Sequence, residues 1–184
     1  MNKFFGLAFI LLSANAIGQS VSSNLIVPSL PLIGNKLVYT EQVHVDTSWS
    51  KERLFYNAQQ WYRHNFQSSD NVLTIDNTVD SKISGPAIVH YAWHKKHKDE
   101  RDLYFTIDII AAPGIYEYRL YNIHGFTDAG EFSYSDMYNE ALYPPKKPRW
   151  PEKYRSKMLT DMNSKVAAVI DEIKKDMIRV EWPK

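Results

Sequence analysis

From Leu37 the chain alternates between apolar and polar positions. Leu37, Tyr39, Val43 and Val45 can share one side of an extended segment, with Val38, Thr40, Gln42 and His44 on the other, which predicts a strand over 37–45. The period then lengthens. In "TSWSKERLFYNAQQWYRHNF" the residues Leu54, Ala58, Trp61, Tyr62 and Phe66 fall on one helical stripe behind serines able to cap it, predicting a helix over 49–66. "QSSDN" breaks that helix, and four strand-like segments follow: "VLTID", "SKISGPAIVHYAWH", "DLYFTIDII" and "IYEYRLYNI". Gly85-Pro86 inside the second marks a bulge or a free edge, because proline offers no ladder donor. Pro113-Gly114 is the turn before the fourth. A last helix is expected over 151–178, with Tyr154, Met158, Met162, Val166, Ile170, Ile173 and Met177 as its apolar stripe.

The element order is β-α-β-β-β-β-α, and it restricts the topology. Short turns make the last four strands an antiparallel meander. The first helix carries the chain back across the sheet, so strands 37–45 and 72–76 point the same way. Strand 115–123 then points opposite to 37–45 and can pair with it. The predicted sheet order is 37–45, 115–123, 102–110, 81–94, 72–76. Both helices pack on one face, which defines an α+β fold with a curved five-stranded antiparallel sheet. Leu54, Ala58, Trp61, Met162, Val166, Ile170 and Ile173 are its expected helical core. Residues 19–35 read as an N-terminal linker or an extended arm, 36–180 as one domain, and 125–149 as a long aromatic and proline-rich loop.

The first strand, the helix "SKERLFYNAQQWYRHNF", the segment "IDNTVDSKISGPA" and the pair "LYFTIDIIAAPGIYEYRLYNI" resemble a family of exported domains of unknown function, common in Bacteroidota. The resemblance covers roughly residues 37–124 and lies in spacing and in the helical tryptophan, not in a catalytic string. It implies a TATA-binding-protein-like (TBP-like) fold and no known activity. Pro86 and the 125–149 segment depart from the family's compact pattern.

Composition narrows the setting. Lys3, the apolar run Phe4 to Leu12 and the small residues of "SANAIGQS" read as a secretory leader cleaved after Gly18. A run this short cannot span a bilayer, which takes about twenty apolar residues. Loss of residues 1–18 removes one lysine and no acid, leaving 21 basic residues against 21 acidic ones. A formally neutral chain lacks the positive footprint of a nucleic-acid binder, so no nucleic-acid partner is expected. The absence of cysteine excludes disulfides, thiolate chemistry and a lipid-modified cysteine anchor. The expected location is therefore the periplasm or the outside of the cell, with no transmembrane segment in the mature chain.

The candidate chemistry is sparse. "VHYAWHKKHKDE" holds His90, His94 and His97, but as a strand it sets His90 and His94 about 13 Å apart at about 3.3 Å per residue. Zinc holds imidazoles at about 2.1 Å, so a charged hairpin tip is expected there, with no metal and no cofactor. On the uncovered sheet face, His44, His90, Tyr104, Thr106, Asp108, Arg119 and Tyr121 can project together, with Asp108 opposite Arg119. His44, His90, Asp108, Arg119 and Tyr121 are the candidate ligand-binding set. In the 125–149 segment, Phe132 and the candidate partner contacts Tyr134, Tyr138, Tyr143 and Trp150 lie near four prolines and three basic residues, a composition that suits an interface. There is no G-x-S-x-G elbow and no Gly-rich phosphate loop, and Ser84 reads as a turn residue, so no catalytic residue is assigned. The favoured reading is a non-enzymatic envelope module that binds a protein or a small polar ligand. The alternative is a small hydrolase or carbohydrate-binding enzyme with its site on the open face.

Overall fold

The computed structural model describes residues 27–66, 75–77, 80–94 and 99–181. The residues expected as a leader, the start of the expected arm, residues 72–74 of the expected strand 72–76, and His97 lie outside the described residues. The elements are β1 (Leu32–Ile33), β2 (Lys36–Leu37), β3 (Tyr39–His44), α1 (Lys51–Phe66), β4 (Ile75–Asn77), β5 (Lys82–His94), β6 (Asp99–Ala112), β7 (Ile115–Thr127), β8 (Gly130–Ser133), α2 (Tyr134–Leu142) and α3 (Glu152–Met177). The main sheet runs β3-β7-β6-β5-β4, antiparallel throughout, which is the order expected from the pattern. β8 adds to the C-terminal part of β7, and β1 and β2 form a small separate hairpin.

Local chemistry explains the joints. The β6–β7 turn places Gly114 at φ 70°, a left-handed conformation that glycine adopts at little cost. Its N–H donates to Trp49 O and its carbonyl accepts from Val45 N, each at 2.9 Å, so this turn also fixes the chain leading into α1. Ser50 caps α1 by accepting from Arg53 N at 3.2 Å. The stripe Leu54, Ala58, Trp61, Tyr62 and Phe66 is buried against the sheet. From α3, Met158, Met162, Val166, Ile173 and Met177 are buried, and Ile170 is half-buried against the same core.

Gly85-Pro86 proves to be a close approach rather than a bulge. β5 stays in register with β6 through Gly85↔Ile107 and Pro86↔Thr106. A Cβ on Gly85 would lie 2.2 Å from the Tyr62 hydroxyl, which donates to Pro86 O at 2.5 Å. β4 pairs with β5 only as far as Ser84, so Pro86 interrupts no described ladder on its outer side.

Two segments differ from expectation. Residues 125–149 are not one long loop: they contain the end of β7, all of β8 and α2. Ser133 caps α2 by accepting from Ser135 N and Asp136 N, and Tyr134, Met137, Tyr138 and Ala141 recur at helical spacing. Ion pairing ties this helix down: Arg155 of α3 meets Glu140 of α2 at 2.8 Å, with both side chains largely buried. The described part of the arm is also docked. Leu30 is buried, and its N–H donates to Tyr138 Oη at 3.0 Å.

Candidate binding face

The face of the sheet away from the helices presents alternate residues of β5, β6 and β7. Asp108 stands opposite Arg119 in the β6–β7 ladder and opposite Ser84 in the β5–β6 ladder, as the alternation required. Its carboxylate meets Lys82 Nζ at 3.1 Å and accepts from the hydroxyls of Ser84 at 2.5 Å and Tyr121 at 3.4 Å. Arg119 forms no ion pair with it. Its guanidinium instead lies 5.1 Å over the Tyr121 ring.

Other expected members lie apart. His90 pairs with Asp102, Nδ1 to Oδ1 at 2.7 Å, and the Tyr104 hydroxyl donates to the second oxygen of Asp102 at 3.1 Å. Burial, then this carboxylate, raises the Tyr104 pKa above the ordinary phenol value. Asp102 and Asp108 are six positions apart on β6, about 20 Å at about 3.3 Å per residue, so His90 does not join the Asp108 group. His44 sits at the other end of the sheet, opposite Ile115. The structure thus unites Asp108, Arg119 and Tyr121 and separates His44 and His90 from them.

The alternation hides two further rings. Two steps on β6, Tyr104 to Thr106, span three on β7, Tyr121 to His124, so one extra residue is inserted there. Asn122 takes φ 54° within this bulge, a conformation that asparagine tolerates better than most residues. The phase shift brings His124 and Phe126 to the open face. Tyr104 and His124 stack with centroids 5.2 Å apart at 16°, and Phe126 packs edge-on to Tyr104 at 5.2 Å. Asn122 beside Tyr121 was the available sequence signal, and strict period-two counting passes over it.

Two clefts flank this ridge. A space of about 1050 Å³ is bordered by His90, Asp102, Tyr104, Phe126 and Asp128. One of about 390 Å³ is bordered by Lys36, Val38, Arg119, Tyr121, His124 and Glu131. Among the described residues, no three His, Asp or Glu side chains converge as metal ligands.

The aromatic segment divides. Tyr134 and Tyr138 were expected as partner contacts, but they are 1% and 5% exposed and belong to the core. Tyr134 Oη meets Tyr91 Oη at 3.2 Å, and Phe132 packs 5.0 Å from the Tyr134 ring. Amphipathic helix formation turned these rings inward. Tyr143 is 77% exposed, while Trp150 is half-buried between Phe132 and the Arg149 guanidinium.

The architecture is that of a TBP-like α+β domain: an open antiparallel sheet with helices on one face and, among the described residues, no element packed on the other. Residues 39–125 match the family described as a domain of unknown function (DUF4468) with TBP-like fold, so the resemblance visible in the sequence is to this family. A TBP-like protein from Parabacteroides distasonis has a similar solved structure, with TM-score 0.59, 14% identity, and coverage of 80% of this chain and 98% of that one. A DUF4468 family protein from Bacteroides ovatus is also similar, with TM-score 0.66, 11% identity, and coverage of 88% and 97%. At these identities the likeness is one of fold. No curated protein matches the chain.

Proposed function

We propose that the protein is a non-enzymatic binding module of the cell envelope, exported by the leader at residues 1–18, and that it takes a small polar ligand on its open sheet face. The observation carrying this reading is the Tyr104–His124–Phe126 ridge, with a cleft on either side, on the face the helices leave free. Ring faces beside fixed polar groups are the usual furniture of a small-molecule site. A hydrolytic reading has less support. The Ser84 hydroxyl donates a hydrogen bond to Asp108 and lies about 20 Å along β5 from His90, so this hydroxyl and this imidazole do not adjoin. Among the described residues no helix is long and apolar enough to cross a membrane.

The test is an amide-resolved NMR titration of the purified protein with N-acetylglucosamine, alanine and N-acetylalanine. Saturable shifts confined to the open face and its clefts, at Tyr104, residues 119–124 and Phe126, and weakened in Tyr104→Ala, support the reading. Shifts on the helical side only, no saturation by any probe, or turnover of a probe would overturn it. Cell fractionation tests export separately: an intact N-terminus in the cytosol sinks that half of the proposal.

A second reading, docking of an envelope protein through Tyr143 and Trp150, draws on the exposure of Tyr143. A partner captured by the wild type and equally by the Tyr143→Ala/Trp150→Ala variant would remove it.

A further inference from the structure

The edge of β7 is interrupted. β3 pairs with residues 115–120 of β7 and β8 pairs with 124–127, so residues 121–123 have no ladder partner on that edge among the described residues. The smaller cleft opens at this interruption. Val38 and Ile123, both buried, give it an apolar floor, and Lys36 and Arg119 supply cations at its border.

We propose that this cleft is a carboxylate site, in which Arg119 and Lys36 hold the carboxylate of a small organic monoanion whose apolar body lies against Val38 and Ile123. The inference deepens the open-face reading by naming the ligand's charged group. Three observations carry it. First, Arg119 has no acidic partner among the described residues: the carboxylate opposite it in the ladder, Asp108, is occupied by Lys82 at 3.1 Å. Second, the guanidinium carbon lies 5.1 Å from the Tyr121 ring centroid, a cation–π contact that takes up no carboxylate. The guanidinium N–H edge remains a planar fork of donors that fits a carboxylate with two parallel hydrogen bonds. Third, the lining charges select the ligand. Lys36 and Arg119 stand against one carboxylate, Glu131, which lies 3.9 Å from His124 Nε2. A net charge of one suits a monoanion, and Glu131 opposes a phosphate dianion. The N-terminus of α2 is not the anchor, because Ser133 Oγ already accepts from Ser135 N and Asp136 N. A volume of about 390 Å³ suits a small organic acid.

The experiment titrates the full chain with N-acetylalanine, with its uncharged amide and with inorganic phosphate. Arg119 side-chain and 121–123 backbone resonances provide the readout. N-Acetylalanine should saturate these shifts, while the amide and phosphate should bind about tenfold more weakly or worse, the scale of one lost charge-assisted hydrogen bond. Arg119→Gln should weaken binding about tenfold or more, and Lys36→Gln about threefold. Lys175→Gln, on an exposed position of α3, should leave affinity unchanged. The amide fingerprint of each variant verifies its fold. Equal binding of acid and amide, tighter binding of phosphate, or an Arg119→Gln variant of unchanged affinity would overturn the carboxylate site. If shifts appear along Tyr104 and Phe126 but not here, the carboxylate inference fails while the open-face reading stands.

Discussion

The two faces of β6 differ at every step. Leu103, Phe105, Ile107 and Ile109 point into the helical layer and are at most 2% exposed, whereas Asp102, Tyr104, Thr106 and Asp108 alternate with them on the free face. One strand therefore does two jobs without compromise, because its side chains have a period of two. The buried set supplies cohesion, with each fully buried Leu, Ile or Phe worth about 1.5–3 kcal/mol. The free set can change its chemistry at small cost to the fold. Binding groups belong on the second face because the first already holds the molecule together.

Substitutions on the two sides should separate sharply. The largest loss should come within the helical layer, where Arg155→Met strands Glu140 without its partner and should cost about 3–5 kcal/mol in urea unfolding. Adding Glu140→Leu should recover most of that loss, and failure of the double variant to recover would remove the ion pair as the cause. Ile107→Ala should cost about 2–5 kcal/mol, since it empties a fully buried site. Gly85→Ala should cost about 1–3 kcal/mol by forcing Tyr62 away from Pro86, and a crystal structure with Tyr62 unmoved would refute that mechanism. A smaller effect should appear in acid. Lys174 and the Tyr118 hydroxyl lower the Glu41 pKa, so the stability they contribute is complete above the ordinary glutamate range and is lost as pH falls through the depressed folded value. Thermal melts of Glu41→Gln should show a shallower acid limb, and an unchanged limb would assign it to other carboxylates. Thr106→Ala, one residue from Ile107 but on the free face, should stay within about 0.5 kcal/mol. A loss there comparable to Ile107→Ala would break the comparison between faces.

Much of this was legible in the chain. The alternation of β6, and of β7 as far as Tyr121, fixes which residues share a face, and the helical stripes of α1 and α3 identify the layer that covers one of them. Short connections then leave a single antiparallel strand order. The pairing of Asp108 with Arg119 follows from that register alone. The α2 helix was also visible, as Ser133 followed by Tyr134, Met137, Tyr138 and Ala141, but its many rings and nearby prolines argued for a loop. Helical burial of Tyr134 and Tyr138 follows from that spacing once the segment is read at the right period.

What the sequence alone determined, then, is the strand order, the two faces and the core stripes, because these depend on periodicity and connection length, which are local properties. Only the tertiary structure decided the site. The Asn122 bulge turned His124 and Phe126 onto the free face, the Tyr62–Pro86 contact explained Gly85, and the interruption between β3 and β8 left Arg119 beside a cleft. Each depends on which atoms distant in the chain come within a few ångströms of one another, and a one-residue shift in register reverses every side chain that follows.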